Sequence, residues 1–273
     1  MSVPAPVRGA PAVVTGASSG IGEALARGLA SRGHALVLVA RRRERLERLA
    51  LQLRRAHGVD VEIRRCNLAD RLERAGLIEE LTSRHVSVLC SNAGFATCGY
   101  IREGDPDREL EEVEVNVVAM HELTLAVLPG MLARGAGAIL ITGSNAGEQP
   151  VPTAATYAAT KAFANTYAEA LHVELRGTGV SCTVLAPGPV RTEFTAVGGI
   201  QHIDENKLVR WTTPEQVAED GLRGLERGQR MVIPGAAAKA QTLGGRYTPR
   251  AVLFPILRLI VLPLLRLSGR GVA

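Results

Sequence analysis

Aromatic side chains are scarce. Phe, Trp and Tyr make up 3% of the 273 residues, with a single tryptophan. A core with so few rings must be filled by Ala, Val and Leu, as in parallel strands covered by helices on both faces. The 46% hydrophobic share is enough to build a large one. Paired cysteines are also missing. Cys66, Cys90, Cys98 and Cys182 form no CxxC pair and no metal-ligand spacing, which argues against a zinc module, a disulfide scaffold or any other metal site. Cys66, Cys90 and Cys182 sit in or beside apolar strand-like runs and read as small buried hydrophobes in a reducing compartment. A charge excess is nearly absent as well: 32 basic against 27 acidic residues gives +5. The arginines are scattered along helical stretches with hardly an aromatic between them, so a nucleic-acid partner is not expected. Met1 to Ala10 has no apolar leader core, which predicts a cytoplasmic protein. No internal repeat or linker is visible, and the length suits one large α/β domain.

What is present alternates between strand and helix. Short apolar runs at Pro11–Thr15, Ala35–Ala40, Val59–Cys66, Val86–Cys90, Ala138–Thr142, Val180–Leu185 and Met231–Pro234 predict seven strands. Helical stretches fall between them, at about 20–32, 44–57, 70–84, 107–132, onward from 155 to about 176, and from Pro214 behind a Thr213 cap. This rhythm means βαβ units and a mainly parallel, seven-stranded, doubly wound sheet of the Rossmann type, with helices on both faces. The first strand enters Gly16-Ala17-Ser18-Ser19-Gly20-Ile21-Gly22, a TGxxxGxG turn that opens a helix and can cradle a phosphate on backbone N–H groups. Gly16 allows the tight turn, Gly20 the approach of a pyrophosphate, and Gly22 close packing of helix on strand.

At the end of the second strand a carboxylate would receive the ribose hydroxyls of NAD. Ala40 stands there instead, followed by Arg41-Arg42-Arg43. Arginines suit a 2′-phosphate, which predicts NADPH with Arg41 as main contact and Arg42 as secondary. Arg43, Arg45 and Arg48 read as the exposed face of the following helix. Asn92-Ala93-Gly94 follows the fourth strand, where small residues let a cofactor lie close to the backbone. Asn116 lies inside an apolar helical run and needs partners, so it is either a structural bridge or a site residue. Tyr157 and Lys161 are one helical turn apart on one face. A tyrosine holds its proton until about pH 10, and a neighbouring ammonium lowers that value, which describes a general acid able to work near neutral pH.

From about Ala12 to Pro234 the chain resembles the short-chain dehydrogenase/reductase family, on the Gly16–Gly22 turn, Asn92-Ala93-Gly94, Asn116, Ser144, Tyr157-x-x-x-Lys161 and Pro187-Gly188. The resemblance implies that Ser144 polarises the substrate oxygen and Tyr157 protonates it. Lys161 is then expected to lower the tyrosine pKa and bind the nicotinamide ribose, and Asn116 to hold a relay water. Val190 and Thr192 resemble the residues that hold the carboxamide. Asn67-Leu68 replaces the usual Asp-Leu at the adenine, and Ser91 the first Asn of Asn-Asn-Ala-Gly; both are expected to be tolerated. The family also implies a homo-oligomer.

Residues 1–234 thus read as the catalytic domain, with a substrate loop at about 192–212. That loop offers Phe194, Val197, Ile200, Ile203, Leu208, Val209 and Trp211, facing Ala146, Gln149, Val151 and Pro152. These residues predict a lipophilic carbonyl substrate. The extended tail, the Val-Arg-Thr-Glu stretch and the Ile-Pro-Gly ending resemble the subgroup that reduces 3-oxo acyl lipids, mycolate-type reductases included. A hydroxysteroid or other lipophilic alcohol dehydrogenase is the alternative, and a non-catalytic NADP-binding regulator is an alternative of another class. Residues 235–273 form an apolar C-terminal extension. With Arg258 inside it and prolines at 255 and 263, segment 251–267 is a poor spanning helix. It suits either peripheral contact with the cytoplasmic face of a membrane or packing on protein.

Overall fold

In the computed structural model, which describes residues 4–198 and 210–267, seven strands form one sheet in the order β3-β2-β1-β4-β5-β6-β7. The strands are β1 (Ala12–Thr15), β2 (Leu36–Ala40), β3 (Val61–Arg65), β4 (Val88–Ser91), β5 (Gly137–Thr142), β6 (Val180–Leu185) and β7 (Met231–Val232). Every neighbouring pair runs parallel. The helices are α1 (Gly20–Ser31), α2 (Arg43–His57), α3 (Arg71–Thr82), α4 (Pro106–Val113), α5 (Met120–Arg134), α6 (Ala155–Glu174), α7 (Phe194–Val197), α8 (Pro214–Glu226), α9 (Ala236–Tyr247) and α10 (Arg250–Leu267).

Strand alternation builds two cores. Val14, Leu36 and Leu38 face one side and meet Leu25, Leu29, Leu46, Leu53, Leu222 and Leu225 from α1, α2 and α8. Val13, Val37 and Val39 face the other and meet Leu77, Leu81, Leu123, Met131, Ala168 and Leu171 from α3, α5 and α6. With both faces covered, near-continuous apolar strands are the expected solution, and β2, β5 and β6 are buried at every residue. Helix starts follow local chemistry. Asp70 caps α3 by accepting from the N–H groups of Leu72 and Glu73. Thr213 caps α8 by accepting from Gln216, with Pro214 at the first turn.

The helix expected over 107–132 is present as one continuous run, Pro106–Arg134, in which a π-helical stretch, Glu114–Ala119, joins α4 to α5. The wider turn centres on Asn116, whose amide bonds both the N–H and the C=O of Phe95 in a neighbouring loop. Such bulges recur at functional sites. The run 106–134 is long and apolar enough to cross a membrane by length and composition, and it is also the run that supplies Leu123, Val127 and Met131 to the core.

Strand order reverses between β1 and β4, so the crevice at their carboxyl ends is where a ligand fits an open α/β sheet. The Gly16–Gly22 turn, Asn92-Ala93-Gly94 and Gly143-Ser144 all leave strands at this edge.

Candidate active site

The glycine turn is a cradle with no room for side chains. Gly16 and Gly20 have φ of +68° and +56°, angles that favour glycine. A Cβ on Gly22 would run into the carbonyl oxygen of Gly16, and one on Gly20 would lie 2.9 Å from Thr192 Cγ2. Ser19 stands at the N-cap of α1 but makes no side-chain cap bond there, so the first N–H groups of the helix face the crevice with its dipole. Ile21 packs on the core beneath.

Asn92 ties the cradle to the sheet. Its Nδ2 donates to Thr15 O at 3.0 Å and its Oδ1 accepts from Thr142 Oγ1 at 3.1 Å. Thr15 Oγ1 in turn accepts from the N–H groups of Asn92 and Ala93, both at 2.9 Å. Three strands are thereby pinned at one level, and Thr142 passes the linkage on: its carbonyl accepts from Lys161 Nζ at 2.8 Å. Gly94 leaves space beside that ammonium, since a Cβ there would lie 2.9 Å from Asn116 Oδ1 and 3.4 Å from Nζ.

Ser144 lies two residues beyond β5 and is held from both sides by Asn165 of α6. Asn165 Oδ1 accepts from Ser144 N at 3.3 Å and its Nδ2 donates to Ser144 O at 2.9 Å. The Ser144 hydroxyl oxygen accepts from Ala146 N at 3.1 Å, starting a short 3-10 turn over Asn145–Glu148. Tyr157 and Lys161 lie on α6 with Nζ 5.8 Å from the ring centroid. The Phe194 ring covers Tyr157 at 5.4 Å between centroids. A hydroxyl donor, a tyrosine, a buried lysine and a phosphate cradle converge on one strand edge.

A family model described as short chain dehydrogenase matches residues 10–199. The chain belongs to the short-chain dehydrogenase family. Among its relatives, sulfoacetaldehyde reductase 2 of Chromohalobacter salexigens is 39% identical over 220 residues, 76% of this chain and 83% of that protein. Very-long-chain 3-oxoacyl-CoA reductase of Anas platyrhynchos is 34% identical over 202 residues, 70% of this chain and 63% of that protein. A solved short-chain dehydrogenase from Sphingobium yanoikuyae in complex with NADPH superposes with a TM-score of 0.80 at 33% identity, covering 90% of this chain and 95% of that one. This chain is therefore a nicotinamide-dependent oxidoreductase acting on carbonyl or alcohol groups.

The other expected site residues of this short-chain dehydrogenase each have protein partners of their own. Arg41 points away to Glu111 of α4 at 3.3 Å. Arg42 lies over the glycine turn, donating to Ser18 Oγ at 3.0 and 3.1 Å and to Ser19 Oγ at 2.6 Å. It also meets Glu193 at 2.6 Å, and Arg45 reaches the same carboxylate at 2.7 Å. Arg42, not Arg41, is thus the arginine beside the glycine turn, as the N-cap residue of α2. Arg45, which reads as exposed helix surface, shares the Glu193 carboxylate with it. Asn67 Oδ1 accepts from Ala69 N at 3.3 Å and keeps a second lone pair for another donor. Leu68 is buried behind it, its carbonyl accepting from Arg74 at 2.6 Å.

Burial dominates both titrating groups of the pair. Burial pushes Tyr157 up to about 12, the Ser144 hydrogen bond pulling against it. Burial also brings Lys161 down to about 8. Nζ is given to a carbonyl instead of the phenol, so desolvation outweighs charge pairing. Asn116 is committed too: besides Phe95, its Nδ2 donates to Thr160 Oγ1 at 3.0 Å, so the buried amide is a structural bridge as well as a neighbour of the lysine. Beside it is a residue missed by inspection of the sequence. Glu112 is fully buried, accepts from Thr97 N at 2.7 Å and Thr97 Oγ1 at 2.6 Å, and lies 3.4 Å from Asn116 Nδ2. Burial raises its pKa. Its only signal was a glutamate four residues before a buried asparagine.

On the substrate side Ala146 is in the Ser144 turn, and Gln149 packs against α9, where a Cβ on Gly245 would lie 2.5 Å from its Oε1. Thr212, next to Trp211, pairs with Val190, and Arg191 lies 5.8 Å from the Trp211 ring. Thr192 Oγ1 accepts from Phe194 N at 3.2 Å. Pro187 O accepts from Asn145 N at 3.1 Å, and Gly188 makes room for Ala238 of α9. Ile200, Ile203, Leu208 and Val209, and the Val197 side chain, lie outside the described residues. No cluster of three or more metal-ligating side chains is found among the described residues.

Proposed function

We propose that this chain uses NADPH to reduce a lipophilic carbonyl to a hydroxyl, with the 3-oxo group of a long-chain, mycolate-like acyl lipid as substrate. The observation that carries this is the Phe194 ring against Tyr157: the proton donor works under an apolar lid, suited to a carbonyl borne on hydrocarbon. The relative named as a very-long-chain 3-oxoacyl-CoA reductase supports the same chemistry. The positive-φ cradle, Ser18 and Ser19, Arg42 with Arg45, Asn92-Ala93-Gly94 and Pro187–Thr192 fit a dinucleotide with a 2′-phosphate. When bound, the nicotinamide supplies a hydride to the carbonyl carbon. The protein then does the rest. Ser144 donates a hydrogen bond to the substrate oxygen. Tyr157 gives that oxygen its proton, leaving a phenolate that the Lys161 ammonium stabilises. Thr142 O holds Lys161 in place, and Glu112 and Asn116 enclose it from behind. Leu125, Leu132, Phe163 and Val173 are exposed on α5 and α6 and favour a homo-oligomer. Cys66, Cys90 and Cys182 are buried among apolar neighbours, as small hydrophobes of a cytoplasmic enzyme would be.

The test is NADPH consumption with 3-oxoacyl esters, steroids, short ketones and a sulfonated aldehyde. Turnover greatest on long 3-oxoacyl esters is expected. Tyr157→Phe should cut it by ~10²–10⁴-fold with NADPH binding kept. Preference for steroids would move the substrate to the alternative reading. Unchanged turnover in Tyr157→Phe would remove the catalytic assignment, and no turnover on any carbonyl would leave an NADP-binding regulator.

A further inference from the structure

Over 251–259, helix α10 leaves most of its surface open. From 251 to 259 Leu253 is the only buried side chain and Leu257 the only half-buried one, while Val252, Phe254, Ile256 and Leu259 are 44–75% exposed. So continuous an apolar surface requires a cover. The charge of the chain narrows what that cover is. No aspartate or glutamate follows Glu226, while Arg and Lys recur eight times from Arg227 to Arg270. That leaves 24 basic against 27 acidic residues in the rest, so the whole positive excess lies in the C-terminal stretch. A second copy meeting this helix across a two-fold axis would set cation against cation. A bilayer with anionic headgroups offers both complements at once: hydrocarbon for the apolar side chains and phosphates for the arginines. Eighteen helical residues span about 27 Å, short of the ~30 Å hydrocarbon core, and Arg258 and Arg266 fall inside them. The helix therefore lies in the plane of the surface.

We propose that α10 docks on an anionic lipid surface and that α9 connects this docking to the active site. Only Thr248 and Pro249 separate the two helices. Gln241 of α9 accepts from Asn145 Nδ2 at 2.9 Å, beside Ser144. Gly245 receives Gln149, and Arg246 meets Glu148 at 3.7 Å. The wall of the substrate side is thus carried by the element that the surface would hold. The docking does not depend on which carbonyl is reduced, although a lipid substrate would be drawn from that same surface.

The experiment is co-sedimentation of the full chain with vesicles of phosphatidylcholine alone and of phosphatidylcholine with phosphatidylglycerol. Binding to the anionic vesicles that weakens with salt is expected. The double variant Arg250→Glu/Arg258→Glu should lower the partition at least ~10-fold, and Phe254→Ser/Leu259→Ser should lower it comparably. Circular dichroism and NADPH-dependent reduction of a water-soluble ketone without vesicles report that each variant is folded, and they read the active site independently of the surface. Absence of the full chain from both vesicle pellets overturns the docking, as does equal partition of the charge-reversed variant. Light scattering supplies the remaining outcome: a dimer lost in Phe254→Ser/Leu259→Ser, with no vesicle binding, assigns α10 to a subunit contact instead.

Discussion

If NADPH binds as proposed, Glu193 and the 2′-phosphate compete for the same two arginines, and the competition can be measured from both sides. Arg42 donates to Glu193 at 2.6 Å while bonded to Ser18 and Ser19, and Arg45 meets the same carboxylate at 2.7 Å. Arg42 and Arg45 hold the Glu193 carboxyl below the usual glutamate range, so it is charged at any pH where the enzyme works. Removing Arg42 removes charge-assisted hydrogen bonds to a 2′-phosphate, each worth ~1.5–3 kcal/mol. Arg42→Ala should therefore weaken NADPH by ~10–150-fold and leave NADH almost unchanged. Glu193→Gln acts in the opposite direction. Its two ion pairs are 38–45% exposed, which limits each to about 0.2–1 kcal/mol. Their loss frees the arginines and should tighten NADPH by ~2–30-fold. Arg41→Ala, which loses only its contact with Glu111, should do neither. Fluorescence titration with each cofactor reads all three variants. Equal weakening of NADPH and NADH in Arg42→Ala would refute the assignment, and so would a Glu193→Gln enzyme that binds NADPH more loosely.

Three further outcomes follow from the buried groups. Gly94→Ala places a Cβ 2.9 Å from the fixed Asn116 Oδ1 and 3.4 Å from Lys161 Nζ; it should cost ~1–3 kcal/mol and abolish reduction, read by melting temperature and turnover. Burial raises the Glu112 pKa, so the folded state binds more protons than the unfolded one above the ordinary glutamate value, and stability falls as pH rises from there. Glu112→Gln should melt higher than the parent by ~2–4 °C for each kcal/mol regained, with the difference growing as pH rises above the ordinary glutamate value; a constant difference refutes the buried ionisation. Lys161 is lowered from 10.5 to about 8, so across that window the unfolded state binds more protons and stability should rise with pH. Lys161→Met should lose that rise in melting temperature, and retention of it would place the titration elsewhere.

The sheet was legible because its signals are local and repeated. Apolar strands between glycine turns and capped helices can be seen without knowing what they touch, and β2 and α8 begin within a residue of where those signals place them. The helix over 107–132 was legible too, but its π-helical turn was not, because Asn116 bonds Phe95 there, a tertiary contact with no local mark. The different contacts of the two arginines were hidden for a related reason. Arg41 and Arg42 are identical as residue types, and only the entry angle of α2 turns one to the glycine turn and the other to Glu111. The same limit hid Glu112 and Arg45, whose spacings are those of ordinary exposed helix faces.

The buried network also separates what is fixed in this site from what can vary. Thr15, Asn92 and Thr142 bind β1, β4 and β5 at one level, and Thr142 O, Asn165 and Asn116 then place Lys161, Ser144 and the loop at Phe95. Each of these bonds is anchored in the sheet or in α6, so the positions of hydroxyl, phenol and ammonium are set without any contribution from the substrate side. The walls around them come from elsewhere: Phe194 of α7, Trp211, and α9 pressing on Asn145 and Gln149. Those contacts are few and partly exposed, and none supports the strands. A substitution in α9 should therefore alter which carbonyl is accepted while leaving the proton donor in place, whereas a substitution at Asn92 or Asn165 should disable every substrate alike.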